Sequence, residues 1–146
     1  MNMAEALQAA LKYSGRSTTY VTKALGKSNA GFFYNILKTK TADTQNYAAI
    51  AGVCGFDLCS VKDRTITVGP AEGLMPEICA EMIGSSGQTP GDISRRIGRV
   101  NPINLSAHRT MKLDTFIRIA NACGYVVLLR PKTGGVPFVI DPNEEG

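Results

Sequence analysis

The sequence predicts a mainly α-helical fold made of two tandem copies of one unit, each copy followed by a short β-hairpin. Three observations predict it. Residues 47–56 (YAAIAGVCGF) and 116–125 (FIRIANACGY) agree at four of ten positions and exchange one aromatic for another at both ends. Upstream, TKALGKSN at 22–29 lies over SRRIGRVN at 94–101. In each copy helical spacing of apolar residues stops at a glycine, and strand-forming residues follow. A repeat of this kind sets the architecture before any single motif does.

Met3, Ala6, Leu7, Ala10 and Leu11 stand at helical spacing and predict a first helix over 3–13, closed by Gly15. Ser17 reads as the N-cap of a short helix ending at Leu25, and Gly26 suits the left-handed position where it stops. Ser28 is placed to cap a third helix running to Lys38, with Phe32 and Ile36 on one face. After the polar loop KTKTADT, a fourth helix over 44–54 ends at Gly55. Strands at 56–61 and 64–68 flank KDR.

The Gly/Pro-rich run GPAEGLMP, residues 69–76, marks the boundary. The second copy predicts helices over 76–83 (broken by SSGQTPG), 92–97, 101–109 and 113–123. Asn101-Pro102 supplies the third start signal, and a hairpin around KTGG joins 125–130 to 136–140. The organisation is therefore a first unit over 1–68, a connector over 69–75, a second unit over 76–140 and a frayed tail over 141–146. Gly26 and Gly98 are 72 residues apart, whereas Gly55 and Gly124 are 69 apart. Three residues are missing from the second copy between its second and fourth helices, which shortens its third helix or the loop after it.

Hydrophobic residues make up 44% of the chain and charged residues 19%, the balance of a folded domain. The net charge is +4, and its distribution is more informative. Residues 16–40 carry Arg16, Lys23, Lys27, Lys38 and Lys40 with no acid, and 90–112 carry Arg95, Arg96, Arg99, Arg109 and Lys112 against Asp92 alone. Basic clusters at matching places in a repeat point to a polyanionic partner. No run approaches the roughly 20 apolar residues of a membrane helix, and with no basic segment followed by an apolar core at the N-terminus, no signal peptide is expected. The four cysteines form no C-x-x-C pair, and Cys54 and Cys123 occupy equivalent apolar positions. They read as buried free thiols of a cytoplasmic protein. His108 is the only histidine, so no metal centre is expected; with no phosphate loop or nucleophile motif, neither a cofactor nor enzymatic activity is expected.

The segments TTYVTKALGKSNAGFFYNIL and ADTQNYAAIAGVCGFDL in the first copy, with GDISRRIGRVNP and LDTFIRIANACGYVV in the second, resemble the lambda-repressor-like (Xre-type) helix-turn-helix family of phage and mobile-element regulators. The resemblance covers both halves except the hairpins, connector and tail. It implies two tandem helix-turn-helix bundles, with the helix after Gly26 or Gly98 entering the major groove. It implies that Ser28, Asn29 and Ala30 face base edges, with Phe33 one turn on, where Asn can pair with adenine and Phe can touch a thymine methyl. Lys27, Lys38 and Lys40 would lie over phosphates, and Thr18 would offer its hydroxyl or amide to the backbone. In the second copy the matching residues are Asn101 and Asn104, with Arg95, Arg99, His108 and Arg109 nearby.

The expected function is sequence-specific binding of double-stranded DNA by a repressor-like regulator, with two half-sites read by one chain. Pairing of a hairpin edge between chains would give a homodimer. The alternative is a phage anti-defence protein, of the anti-CRISPR kind, that binds a host nuclease complex. The aromatic run Phe32–Phe33–Tyr34 favours it, because exposed aromatics anchor protein interfaces.

Overall fold

The computed structural model describes residues 1–63, 65–68, 75–98 and 111–143, with the backbone alone described at 65–68, 75 and 76. Within these lie helices α1 (Met3–Ser14), α2 (Thr18–Ala24), α3 (Gly31–Thr39) and α4 (Thr44–Val53), then strands β1 (Phe56–Lys62) and β2 (Thr65–Val68). Helices α5 (Met75–Ser86), α6 (Pro90–Arg96) and α7 (Leu113–Ala122) follow, and strands β3 (Val126–Pro131) and β4 (Phe138–Val139) complete the order. The fold is mainly α-helical with a small antiparallel sheet, as expected. The third helix expected over 101–109 lies outside the described residues.

Local chemistry explains the ends of these helices. Asn2 and Glu5 cap α1 reciprocally: the Asn2 side chain accepts the Glu5 N–H at 2.9 Å and the Glu5 carboxylate accepts the Asn2 N–H at 3.0 Å. Ser17 accepts the Tyr20 N–H at 3.1 Å and starts α2. Thr89 and Asp92 form the same reciprocal box on α6, with Pro90 in its first turn, so α6 begins at Pro90 rather than at 92. Helix α5 outruns the expected 76–83 because Ser85 and Ser86 do not break it. Their hydroxyls donate back to the Met82 and Ile83 carbonyls, at 3.0 and 2.6 Å, and Gly87 at φ +73° ends it. Ser14 closes α1 in the same way, donating to Leu11 and accepting the Arg16 N–H, as Ser86 accepts that of Gln88. The two residues are 72 apart, so the repeat extends to single hydrogen bonds.

Helix α3 corrects the expectation at its start. Ser28 caps nothing; the helix begins at Gly31, and Ala30 holds the N-cap position without a side-chain bond. The Asn29 side chain accepts the Gly31 N–H at 2.8 Å. This local turn satisfies the N–H of the first helical residue from a position ahead of the N-cap.

The two hairpins form one sheet, in the order β2-β1-β3-β4, all antiparallel. Inside the chain β1 pairs with β3, where Leu58 stands opposite Leu129 and Cys59 opposite Leu128, and β2 and β4 form the edges of the sheet. Cys59 and Leu128 are 69 residues apart, the offset of Gly55 and Gly124. A second bridge pairs Asp43 with Lys112, again 69 apart. Its hydrogen bonds run from Thr44 N–H to the Met111 carbonyl and from Leu113 N–H to the Ala42 carbonyl, both 2.8 Å and both between equivalent positions. A residue that pairs antiparallel with its own counterpart lies on a two-fold axis, and both bridges mark that axis.

One core joins the copies. Leu7, Val21, Phe33, Tyr47 and Ile50 belong to the same buried cluster as Ile93, Phe116, Ile119 and Leu129. Tyr47 and Phe116 are equivalent; the extra hydroxyl of Tyr47 donates to the Met3 carbonyl at 2.8 Å, which satisfies it in the core. Of the tail expected to fray, Asn143 is held against α7 and Lys40 at the end of α3, and Asp141 is bonded to Met1.

Ile50 and Ile119, 3% and 0% exposed, are equivalent core positions. Substitution of either by Ala is expected to cost about 2–5 kcal/mol. Calorimetry should show both variants melting in a single shared transition; two separate transitions would contradict the joint core.

Candidate nucleic-acid interface

From residue 6 to residue 42 the chain holds Lys12, Arg16, Lys23, Lys27, Lys38 and Lys40 and no carboxylate. All six side chains are exposed on α1, α2, α3 and their turns. The five lysines form no ion pair among the described residues; the ion pairs lie elsewhere, as with Lys112–Asp43 and Arg130–Asp57. Arg16 is anchored: its guanidinium donates to the Val53 carbonyl and lies 4.8 Å from the centroid of the Tyr20 ring. Lys27 sits 5.8 Å from the centroid of Phe32. Exposed ammonium groups with no ion pair among the described residues form a field suited to a polyanion.

Helix α3 stands in the middle of this field. Phe33 and Ile36 point into the core, at 1% and 8% exposure. Phe33 is therefore not available to a thymine methyl, which corrects the expectation for that residue. The stripe that holds α3 is the i, i+3 pair Phe33–Ile36, with Phe32 half-buried at its side. The outward face is Tyr34, Asn35 and Lys38, all exposed. The sequence expectation of Phe32 and Ile36 on one face does not single out Tyr34 and Asn35. Helical periodicity would have found them once Phe33 was given to the core.

The other expected residues divide clearly. Lys27, Ser28 and Asn29 are exposed in the turn between α2 and α3, and Ala30 is half-buried there. The Asn29 oxygen accepts from Gly31, whereas the Asn35 amide makes no hydrogen bond among the described residues. Lys38 and Lys40 flank the C-terminal end of α3, where Lys40 adopts the left-handed conformation that ends the helix. Thr18 is the first residue of α2, half-buried, with its carbonyl accepting the Thr22 hydroxyl at 2.7 Å. Lys27 and Asn35 share a cleft of about 420 Å³ with Asn46 and the axis pair Asp43 and Lys112. Arg95 is exposed but turned to Asp92, 2.5 Å away. Arg99, Asn101, Asn104, His108 and Arg109 lie outside the described residues.

The described residues hold no group of three or more potential metal ligands. All four cysteines are buried free thiols. Burial pushes each thiol up, that of Cys79 to about 12, so they stay protonated and make poor nucleophiles. No helix among the described residues is long and apolar enough to cross a membrane. Comparison of the chain with protein-family models, with curated proteins and with solved structures finds no match.

The α6 cap generates a pH prediction. The Thr89 backbone N–H, then its hydroxyl, then Arg95 hold the Asp92 carboxyl below its ordinary 3.8. A depressed carboxyl pKa contributes stability that is present above the ordinary value and lost as pH falls through the folded value. Acid titration followed by NMR should show α6 losing amide protection below pH 3.8, with Asp92→Asn removing that dependence. An Asp92 that titrates at or above 3.8 would contradict the cap.

Proposed function

We propose that this chain is a sequence-specific double-stranded DNA-binding regulator of the repressor type, built from two helix-turn-helix units and acting by occupancy rather than by catalysis. The observation that carries the reading is the outward face of α3, Tyr34, Asn35 and Lys38, with Lys12, Lys23, Lys27 and Lys40 exposed on α1, α2 and the turns and no ion pair on any of these lysines among the described residues. Such a helix offers an amide for a base edge, an aromatic ring for a methyl or a sugar, and ammonium groups for phosphates. The short α2, the Gly26 turn at φ +69° and the half-buried start of α2 are consistent with a helix docked through its N-terminal half. The two-fold axis through Asp43–Lys112 and Cys59–Leu128 supports a site of two half-sites in inverted orientation, bound by one chain.

The aromatic run that favoured a protein-binding reading shrinks to one outward ring. Phe33 is core, Phe32 packs against it, and Tyr34 alone is exposed. The aromatic run therefore lends the anti-defence alternative less support.

Selection of bound fragments from random duplex DNA tests the proposal and should return an inverted, imperfect repeat. Retention of no duplex, or affinity indifferent to salt, would sink it. Lys38→Ala should lower affinity alike on every duplex and flatten the salt dependence by about one unit of log–log slope. Bidentate pairing with adenine needs both amide atoms; of Asn29 and Asn35, Asn35 has both unoccupied among the described residues. Asn35→Ala should remove about 1–3 kcal/mol of discrimination at one base pair, while Asn29→Ala changes the selected motif less. The reverse order would return base reading to the turn.

A further inference from the structure

Residues 141–143 return from β4 to the C-terminal end of α3 and are gripped by the other copy. Asp114 and Arg118 of α7 form an ion pair at 2.9 Å. Together they clasp the Asn143 backbone: the Asp114 carboxylate accepts its N–H at 2.6 Å, and Arg118 donates to its carbonyl at 2.5 Å. The Asn143 amide then donates to the Lys40 carbonyl at 2.8 Å. Lys40 ends α3, and carbonyls at a helix end lack partners within the helix. The grip is one-sided. At the repeat offset of 69, the counterparts of Asp114 and Arg118 in α4 are Gln45 and Ala49, which cannot form the charged clasp.

We propose that Asn143 is a positioning residue through which the second copy sets the orientation of the first copy's reading helix. The α7 ion pair holds the strap, the strap holds the last turn of α3, and that turn carries Lys38 two residues before the contact. A helix fixed at this end presents Tyr34 and Asn35 at one angle to a base edge, so the strap sharpens discrimination between sequences rather than general affinity for DNA. This consequence rests on the DNA-binding reading above, but the strap itself is tested without DNA.

The experiment compares the full chain with Asn143→Ala and the isosteric Asn143→Asp, both of which lack the amide donor. Hydrogen exchange should quicken in the last turn of α3 by about five- to tenfold in both variants, with α1 and α7 unchanged. On DNA, the ratio of affinity for the selected site to affinity for random duplex should fall by a similar factor, with the salt slope unchanged. Unaltered exchange in α3 would overturn the strap whatever the DNA result. Faster exchange with an unaltered ratio, in a chain that binds its site, would overturn the link to specificity. A wild-type chain that binds no duplex would sink the DNA reading alone, and exchange would still decide the strap.

Discussion

The antiparallel pairing of β1 with β3 is the constraint on which the rest of the molecule depends. A two-stranded hairpin is marginal alone in water, and each copy of the repeat supplies one. Joining them through their inner strands gives four strands, buries Leu58 against Leu129, and fixes both copies to one axis. Once the axis is set, α4 and α7 run from one bridge to the other. The short backbone bridge at Asp43 and Lys112 then closes the opposite end with two equivalent hydrogen bonds.

The axis also reveals what fusion of the copies permits. In a dimer of identical chains the residue on the axis meets itself, so Asp43 would face Asp43 and Lys112 would face Lys112. Like charges in such a position repel. Here the two positions differ, and the ammonium lies 3.5 Å from the carboxylate. The pair is exposed and contributes little stability, but the repulsion is absent. The same freedom allows Thr44, whose hydroxyl donates to the Met111 carbonyl at 2.7 Å, to stand where its counterpart is Leu113, fully buried.

Much of the fold was legible because it is local. Gly15, Gly26, Gly55 and Gly124 all take positive φ where helices were expected to stop, and Ser17 caps α2 as expected. Ile50 and Ile119 are buried because the repeated I-A-x-x-C-G pattern places them on the inward stripe. The partnership of the hairpins was not legible, since strand pairing over 69 residues leaves no mark in local periodicity. The start of α3 was not legible because Ser28 suits a cap, whereas the helix begins at Gly31 behind Ala30, with the Asn29 side chain accepting the Gly31 N–H. In the candidate site the lysines could be read from charge alone. Tyr34 and Asn35 could not, because in Phe32–Phe33–Tyr34 only packing tells which ring goes inward.

A two-fold unit made from one chain has a property that separate subunits lack. Its halves meet by an intramolecular step, so their association does not weaken on dilution, as that of an obligate dimer does. The stability of the joined core should therefore be the same at nanomolar as at micromolar protein, and a few copies of the chain are as fully assembled as many.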